Sequence, residues 1–90
     1  MDEDQATAKH WSISVDLVET SDETEATVRV VLDARTFSGL GSARRNPVDP
    51  SIPRIGEELA VARALSDLSH RLMEEATRLI EDHGPQVPAP

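Results

Sequence analysis

The residues best suited to chemistry lie in Gly39-Leu40-Gly41-Ser42-Ala43-Arg44-Arg45, where two glycines one residue apart precede a serine and two adjacent arginines. Such a segment could serve as a phosphate-binding loop, as an RNA-binding edge, or as a strand that lies close under a helix. Gly39-x-Gly41-x-x-Arg44 begins like the dinucleotide fingerprint, but an arginine stands where the third glycine should be and no helix opens there. The phosphate-loop pattern is also missing. His10, His70 and His83 are far apart in the chain, with no companion at helical ligand spacing, so no metal site is expected. Carboxylates are plentiful, yet none stands in a pattern that assigns it a general acid or base role, and no serine sits in a G-x-S-x-G elbow. The reading is therefore non-enzymatic, with no cofactor and no small-molecule substrate.

The elements that must position these residues follow from periodicity. Trp11, Ile13, Val15 and Leu17 alternate with polar residues, the period of a strand with one buried face. The segment Glu19 to Glu25 carries no apolar residue and serves as a hairpin connection. Ala26, Val28, Val30 and Leu32 then form a second, antiparallel strand, with Val18 and Val31 on the opposite, partly covered face. A third strand spans Arg35 to Arg44 with Phe37, Gly39, Gly41 and Ala43 facing inward, because small residues let a helix approach a sheet closely. Pro47, Pro50 and Pro53 make Asn46 to Pro53 a non-helical connection. From Gly56 the period becomes helical, with Val61, Leu65, Leu68, Leu72, Ala76 and Leu79 on one stripe and Glu57 and Glu58 in the first turn. Arg63, Asp67, Arg71, Glu74, Arg78 and Asp82 form pairs four residues apart on a solvated face. The predicted fold class is α+β: a three-stranded antiparallel sheet followed by one long C-terminal helix packed across it. Residues 9–83 form a single domain, between disordered tails at 1–8 and 84–90.

A chain of 90 residues buries a thin core and favours a shallow working surface over an enclosed one. The absence of cysteine fits a reducing cytoplasm, and no apolar run approaches the length that spans a bilayer, so no membrane partner is expected. The formal net charge is −8, unevenly spread. Residues 1–33 hold nine acids against Lys9 and Arg29, whereas in residues 34–54 Arg35, Arg44, Arg45 and Arg54 face only Asp49. These four arginines are the only basic island on an acidic protein. Leu59, Met73 and Ile80 extend the apolar stripe of the helix along one flank. A homodimer is expected through that flank, through the uncovered sheet face bearing Val18, Val31 and Leu40, or through both. The alternative is that the flank packs on the connection around residues 46–55.

Gly39-Leu40-Gly41-Ser42-Ala43-Arg44, Asn46-Pro47-Val48-Asp49, Ile55-Gly56-Glu57-Glu58-Leu59 and Val61-Ala62-Arg63-Ala64-Leu65-Ser66-Asp67-Leu68 together resemble a family of small actinobacterial proteins of unknown function. The resemblance implies a fold likened to the double-stranded-RNA-binding domain (dsRBD-like), with three antiparallel strands and a long helix, and it implies dimers. Some members of that family are associated with dormancy or hypoxia, and one has been compared with ribosome hibernation-promoting factors. The residues depart from the duplex-RNA-binding pattern in two ways: a proline-rich loop separates the arginines from the helix, and Glu57 and Glu58 stand where phosphate would be gripped.

Two functions follow from these readings. The first is a stress or dormancy protein that contacts the ribosome or its RNA through Arg35, Arg44, Arg45 and Arg54, which needs only a local basic patch. The second is a dimeric protein–protein interaction module with no nucleic-acid role. Arginines converging on one exposed face favour RNA, and arginines engaged with the acids of the first hairpin favour protein.

Overall fold

A computed structural model describes residues 5–48 and 52–84. Asp49, half of the expected N-terminal tail and all but Gly84 of the expected C-terminal tail lie outside the described residues. The order is β1 (Ile13–Glu19), β2 (Glu23–Leu32), β3 (Arg35–Arg44) and α1 (Pro53–His83), with the strands in one antiparallel sheet of order β1-β2-β3. The expected α+β architecture is observed, with α1 packed across the sheet over β3 and β2. Asp33 and Ala34 close the second hairpin with φ of 51° and 65°, the left-handed backbone that a two-residue turn between twisted strands requires.

Several boundaries differ from the sequence reading for local physical reasons. β1 begins at Ile13 and runs on to Glu19, so Trp11 precedes it, and β2 begins at Glu23 because Thr20 closes a tight turn. The Thr20 N–H donates to the Glu23 carbonyl at 2.8 Å, and the Glu23 N–H donates back to Thr20 Oγ1 at 3.1 Å. The helix starts at Pro53, three residues earlier than Gly56, since proline in the first turn needs no N–H partner. Glu57 and Glu58 consequently sit beyond the first turn.

The third strand faces as its small residues suggested. Gly39 pairs with Val28 and Gly41 with Ala26, on the same side of the sheet as the core. A Cβ on Gly39 would collide with the Ala64 carbonyl and the Leu68 backbone, and one on Gly41 with Ala60 and Ala64. Helix backbone thus lies directly on strand backbone. The core is correspondingly small: Ala26, Val28, Val30, Ala43, Ala60, Ala64 and Leu68 are buried, and only Leu68, Val28 and Val30 among them are large and fully enclosed. At roughly 1.5–3 kcal/mol per large apolar side chain, so few of them leave the domain marginal on its own.

Candidate functional site

Gly39 and Gly41 are consumed by helix packing, so the glycine segment cradles nothing. The four arginines divide between two ends of the molecule: Arg44 and Arg45 line a cavity together with Pro53 and Ile55, the neighbours of Arg54, and Arg35 is remote from them. Arg35 and Arg44 stand at opposite ends of β3, about 30 Å apart at ~3.3 Å per residue. Arg35 Nη1 bonds Glu75 Oε2 at 2.8 Å and its guanidinium lies 5.0 Å from the Phe37 ring centroid. Arg54 is paired with Glu58 at 2.8 Å. Arg44 and Arg45 line a small cavity of about 200 Å³ together with Glu19, Asp22 and Glu23. Arg44 stands opposite Glu23 in the strand register, and the Arg45 N–H donates to the Asp22 carbonyl at 2.8 Å. Neither makes an ion pair among the described residues.

Beside that cavity Thr24, the buried polar residue of the core, donates from Oγ1 to Glu19 Oε1 at 3.5 Å. The proximity of Glu19 raises the Glu57 carboxyl above the usual carboxylate range, with partial desolvation adding to the effect. His10, His70 and His83 are occupied with Ser12 Oγ, the Ser66 carbonyl and the Leu79 carbonyl respectively. Among the described residues no group of three or more histidines and carboxylates is placed to hold a metal, and no helix is long and apolar enough to cross a membrane.

The helix face read as simply solvated has a further task. The Leu40 N–H donates to Asp67 Oδ2 at 2.9 Å, and Arg63 Nη1 donates to the Ser42 carbonyl at 2.7 Å. These are outward-pointing backbone groups of an edge strand, so the helix side chains close the β3 edge. Sequence spacing paired Arg63 with Asp67 and Glu74 with Arg78. The spacing also paired Asp67 with Arg71 and Arg78 with Asp82, and both of those pairs are present, whereas Arg63 turns to the Ser42 carbonyl and Arg78 takes Glu75 in place of Glu74. The Leu40 N–H holds the Asp67 carboxyl below the usual range, and Arg78, with help from Arg35, does the same for Glu75.

The opposite edge has no partner strand among the described residues. By the alternation of antiparallel ladders, the Thr20–Glu23 bond turns the backbone groups of Ser14, Asp16 and Val18 toward β2 and leaves those of Ile13, Val15, Leu17 and Glu19 outward. The same odd-numbered side chains lie on the core side of the sheet, opposite Val30, Val28 and Ala26. Alternation predicted their burial, but α1 lies over β3 and β2, meets β1 at Glu19 through Glu57, and leaves the apolar side chains partly uncovered. Trp11, Ile13, Val15 and Leu17 keep 59, 46, 45 and 42% of their surface exposed. Beside them Leu65 and Leu79 are exposed although the sequence placed them on the core stripe, while Ala60 and Ala64, not singled out from sequence, make the buried contact. At the Trp11 end this trough widens into a groove of about 1100 Å³ floored by Leu32, Phe37 and Leu72.

The residues expected to touch a second copy are all exposed and fall into two groups. Leu59, Met73 and Ile80 run along the helix flank. Val18, Val31 and Leu40 are on the outer sheet face, where they are scattered among Asp16, Arg29 and Ser38 rather than contiguous, and that face has no cover among the described residues.

Comparison with known proteins accords with this architecture. A family model described as Rv2632c-like matches residues 9–87. The chain is 39% identical over 80 residues to the uncharacterized protein MT1780 of Mycobacterium tuberculosis (strain CDC 1551 / Oshkosh), covering 89% of this chain and 85% of that one. It is 37% identical over 81 residues to the uncharacterized protein Rv2632c of M. tuberculosis (strain ATCC 25618 / H37Rv), covering 90% and 87%. The crystal structure of Rv2632c superposes with a TM-score of 0.84 at 36% identity, over 92% of this chain and 99% of the other.

Proposed function

The chain belongs to the Rv2632c-like family, and on that premise we propose that it is a non-enzymatic, cytoplasmic protein-interaction module that works as a homodimer. One observation carries the reading: the core-side face of β1, with Trp11 beside it, is apolar and contiguous yet left open by its own helix. Contiguous apolar surface of this kind marks an interface on a soluble domain. The engagement of Arg35 and Arg54 with acids of the helix, and the placement of Arg44 and Arg45 among acids of the first hairpin, support protein over nucleic acid as the partner. Sedimentation equilibrium at micromolar concentration is expected to give a dimer. Val15→Asp is expected to weaken it at least a hundredfold while leaving far-ultraviolet circular dichroism unchanged. A monomeric parent chain at these concentrations contradicts the reading.

A second reading, contact with the ribosome in stress or dormancy, is supported by Arg44 and Arg45, two adjacent cations without ion pairs among the described residues. Pelleting with ribosomes in low salt that is lost steeply as salt rises, and lost in Arg44→Glu/Arg45→Glu, supports it. Absence of pelleting at any salt removes it.

A further inference from the structure

The exposed flank of α1 contains a second pattern, which shares Leu72 with the residues packed against the sheet core. Ala62, Leu65, Ser69, Leu72, Ala76 and Leu79 recur at alternating steps of three and four, a strict heptad run in which every first position is small and every second is leucine. All of them except the half-buried Leu72 are exposed, whereas the sheet contact is made by Ala60, Ala64 and Leu68. The direction of this heptad seam matters as well. The polar side of α1, marked by Arg63 and Asp67, is fastened to the β3 edge, so the heptad run faces the other way, over β1.

We propose that a second copy of the chain packs its α1 antiparallel against this seam and so lies in the trough over β1. The proposal rests on the homodimer reading and specifies its geometry. The antiparallel direction follows from the sizes of the side chains. Pairing two parallel copies in register would set leucine against leucine and small residue against small residue, crowding some layers and leaving voids in others. Reversing one copy exchanges the two positions, so Ala62 meets Leu79 of the second copy, Leu65 meets Ala76, and Ser69 meets Leu72. Each large side chain then has a small one opposite, and the helices can approach closely.

The rest of the exposed apolar surface falls into place in the same arrangement. Leu59, Met73 and Ile80 are one step further round the helix from the seam, and there they meet the β1 face of the second copy. The result is two sheets enclosing a layer of two helices, each helix covering its own β2 and β3 and the other copy's β1. Trp11, Ile13, Val15, Leu17, Leu65, Leu79 and those three residues together expose on the order of 900 Å², close to the ~800 Å² per partner of a stable interface.

The chain has no cysteine, so introduced thiols report without background. Chains carrying Ala62→Cys and chains carrying Leu79→Cys are prepared separately, mixed, and treated with a short bis-maleimide. The mixture is expected to cross-link at least tenfold above either chain alone. Leu65→Glu, which alters a side chain outside the buried core, is expected to abolish the dimer without loss of helical content. Self-linking of Ala62→Cys chains alone would show a parallel pair and overturn the proposal. A dimer by sedimentation that gives no 62–79 product, or that survives Leu65→Glu, overturns the seam and leaves the homodimer reading standing. A monomeric parent chain defeats both.

Discussion

The two flanks of α1 meet the same sheet under opposite terms. Toward β3, two glycines and two alanines bring helix and strand backbones into direct contact, and Arg63 and Asp67 fasten the open backbone groups of the edge strand. Toward β1, Leu65 and Leu79 of the helix are exposed beside Trp11, Ile13, Val15 and Leu17, and among the described residues nothing pairs with the edge of that strand. The first flank makes the domain fold, and the second has the chemistry of a core without an occupant. Small residues therefore mark the close contact within this domain, and large exposed ones mark apolar surface that its described residues leave uncovered.

Substitutions separate these flanks most sharply at the glycines. Gly39→Val or Gly41→Val drives a branched side chain into helix backbone and is expected to cost at least about 3 kcal/mol, read as a lower urea midpoint. The leucines test the same contrast from the helix side. Leu68→Ala is expected to destabilise the single chain by about 2–5 kcal/mol, and Leu65→Ala by less than about 1 kcal/mol when assayed dilute enough to be monomeric. Comparable losses for the two would mean that the β1 flank is already closed within one chain.

The turn between β2 and β3 offers a smaller effect of opposite sign. Ala34 holds φ of 65°, which glycine adopts without strain, so Ala34→Gly is expected to stabilise by about 1 kcal/mol in the same urea assay. The smallest effects are electrostatic. Asp67 and Glu75 have depressed folded pKa values, so their contribution is present above the ordinary carboxylate range and fades as pH falls through the folded values. Asp67→Asn should lower the thermal midpoint at pH 7 and flatten its fall toward pH 3. Glu57 runs the other way: its raised pKa means that ionisation beside Glu19 weakens the fold as pH rises. Glu57→Gln should raise the midpoint at pH 7 and change little at low pH.

How far the sequence could be read depended on whether a signal was local. Alternation gave all three strands, and the bounds of β3 coincide with its reading because Arg35 and Arg44 flank an unbroken run of alternating residues. The inward set Phe37, Gly39, Gly41 and Ala43 was legible because glycines in a strand need a close neighbour. The start of α1 is hidden from the sequence because a proline that follows two others has the pattern of a breaker, whereas Pro53 acts as the first helical residue. The candidate face was legible only in its parts. The apolar residues of β1 were visible, but no local pattern states that the helix stops short of them, and the capping of the β3 edge by Arg63 and Asp67 leaves no trace in their spacing.

The amino-acid order by itself determined the fold class, the facing of β1 and β2 and the amphipathic helix, since each follows from a period of two or of three to four within one segment, and the glycines of β3 supplied its facing. The lateral position of α1 was decided only in three dimensions. Backbone contact at Gly39 and Gly41 and the two bonds to the β3 edge draw the helix to one side of a sheet that it could otherwise have straddled. That displacement is what turns an ordinary buried strand face on β1 into exposed apolar surface.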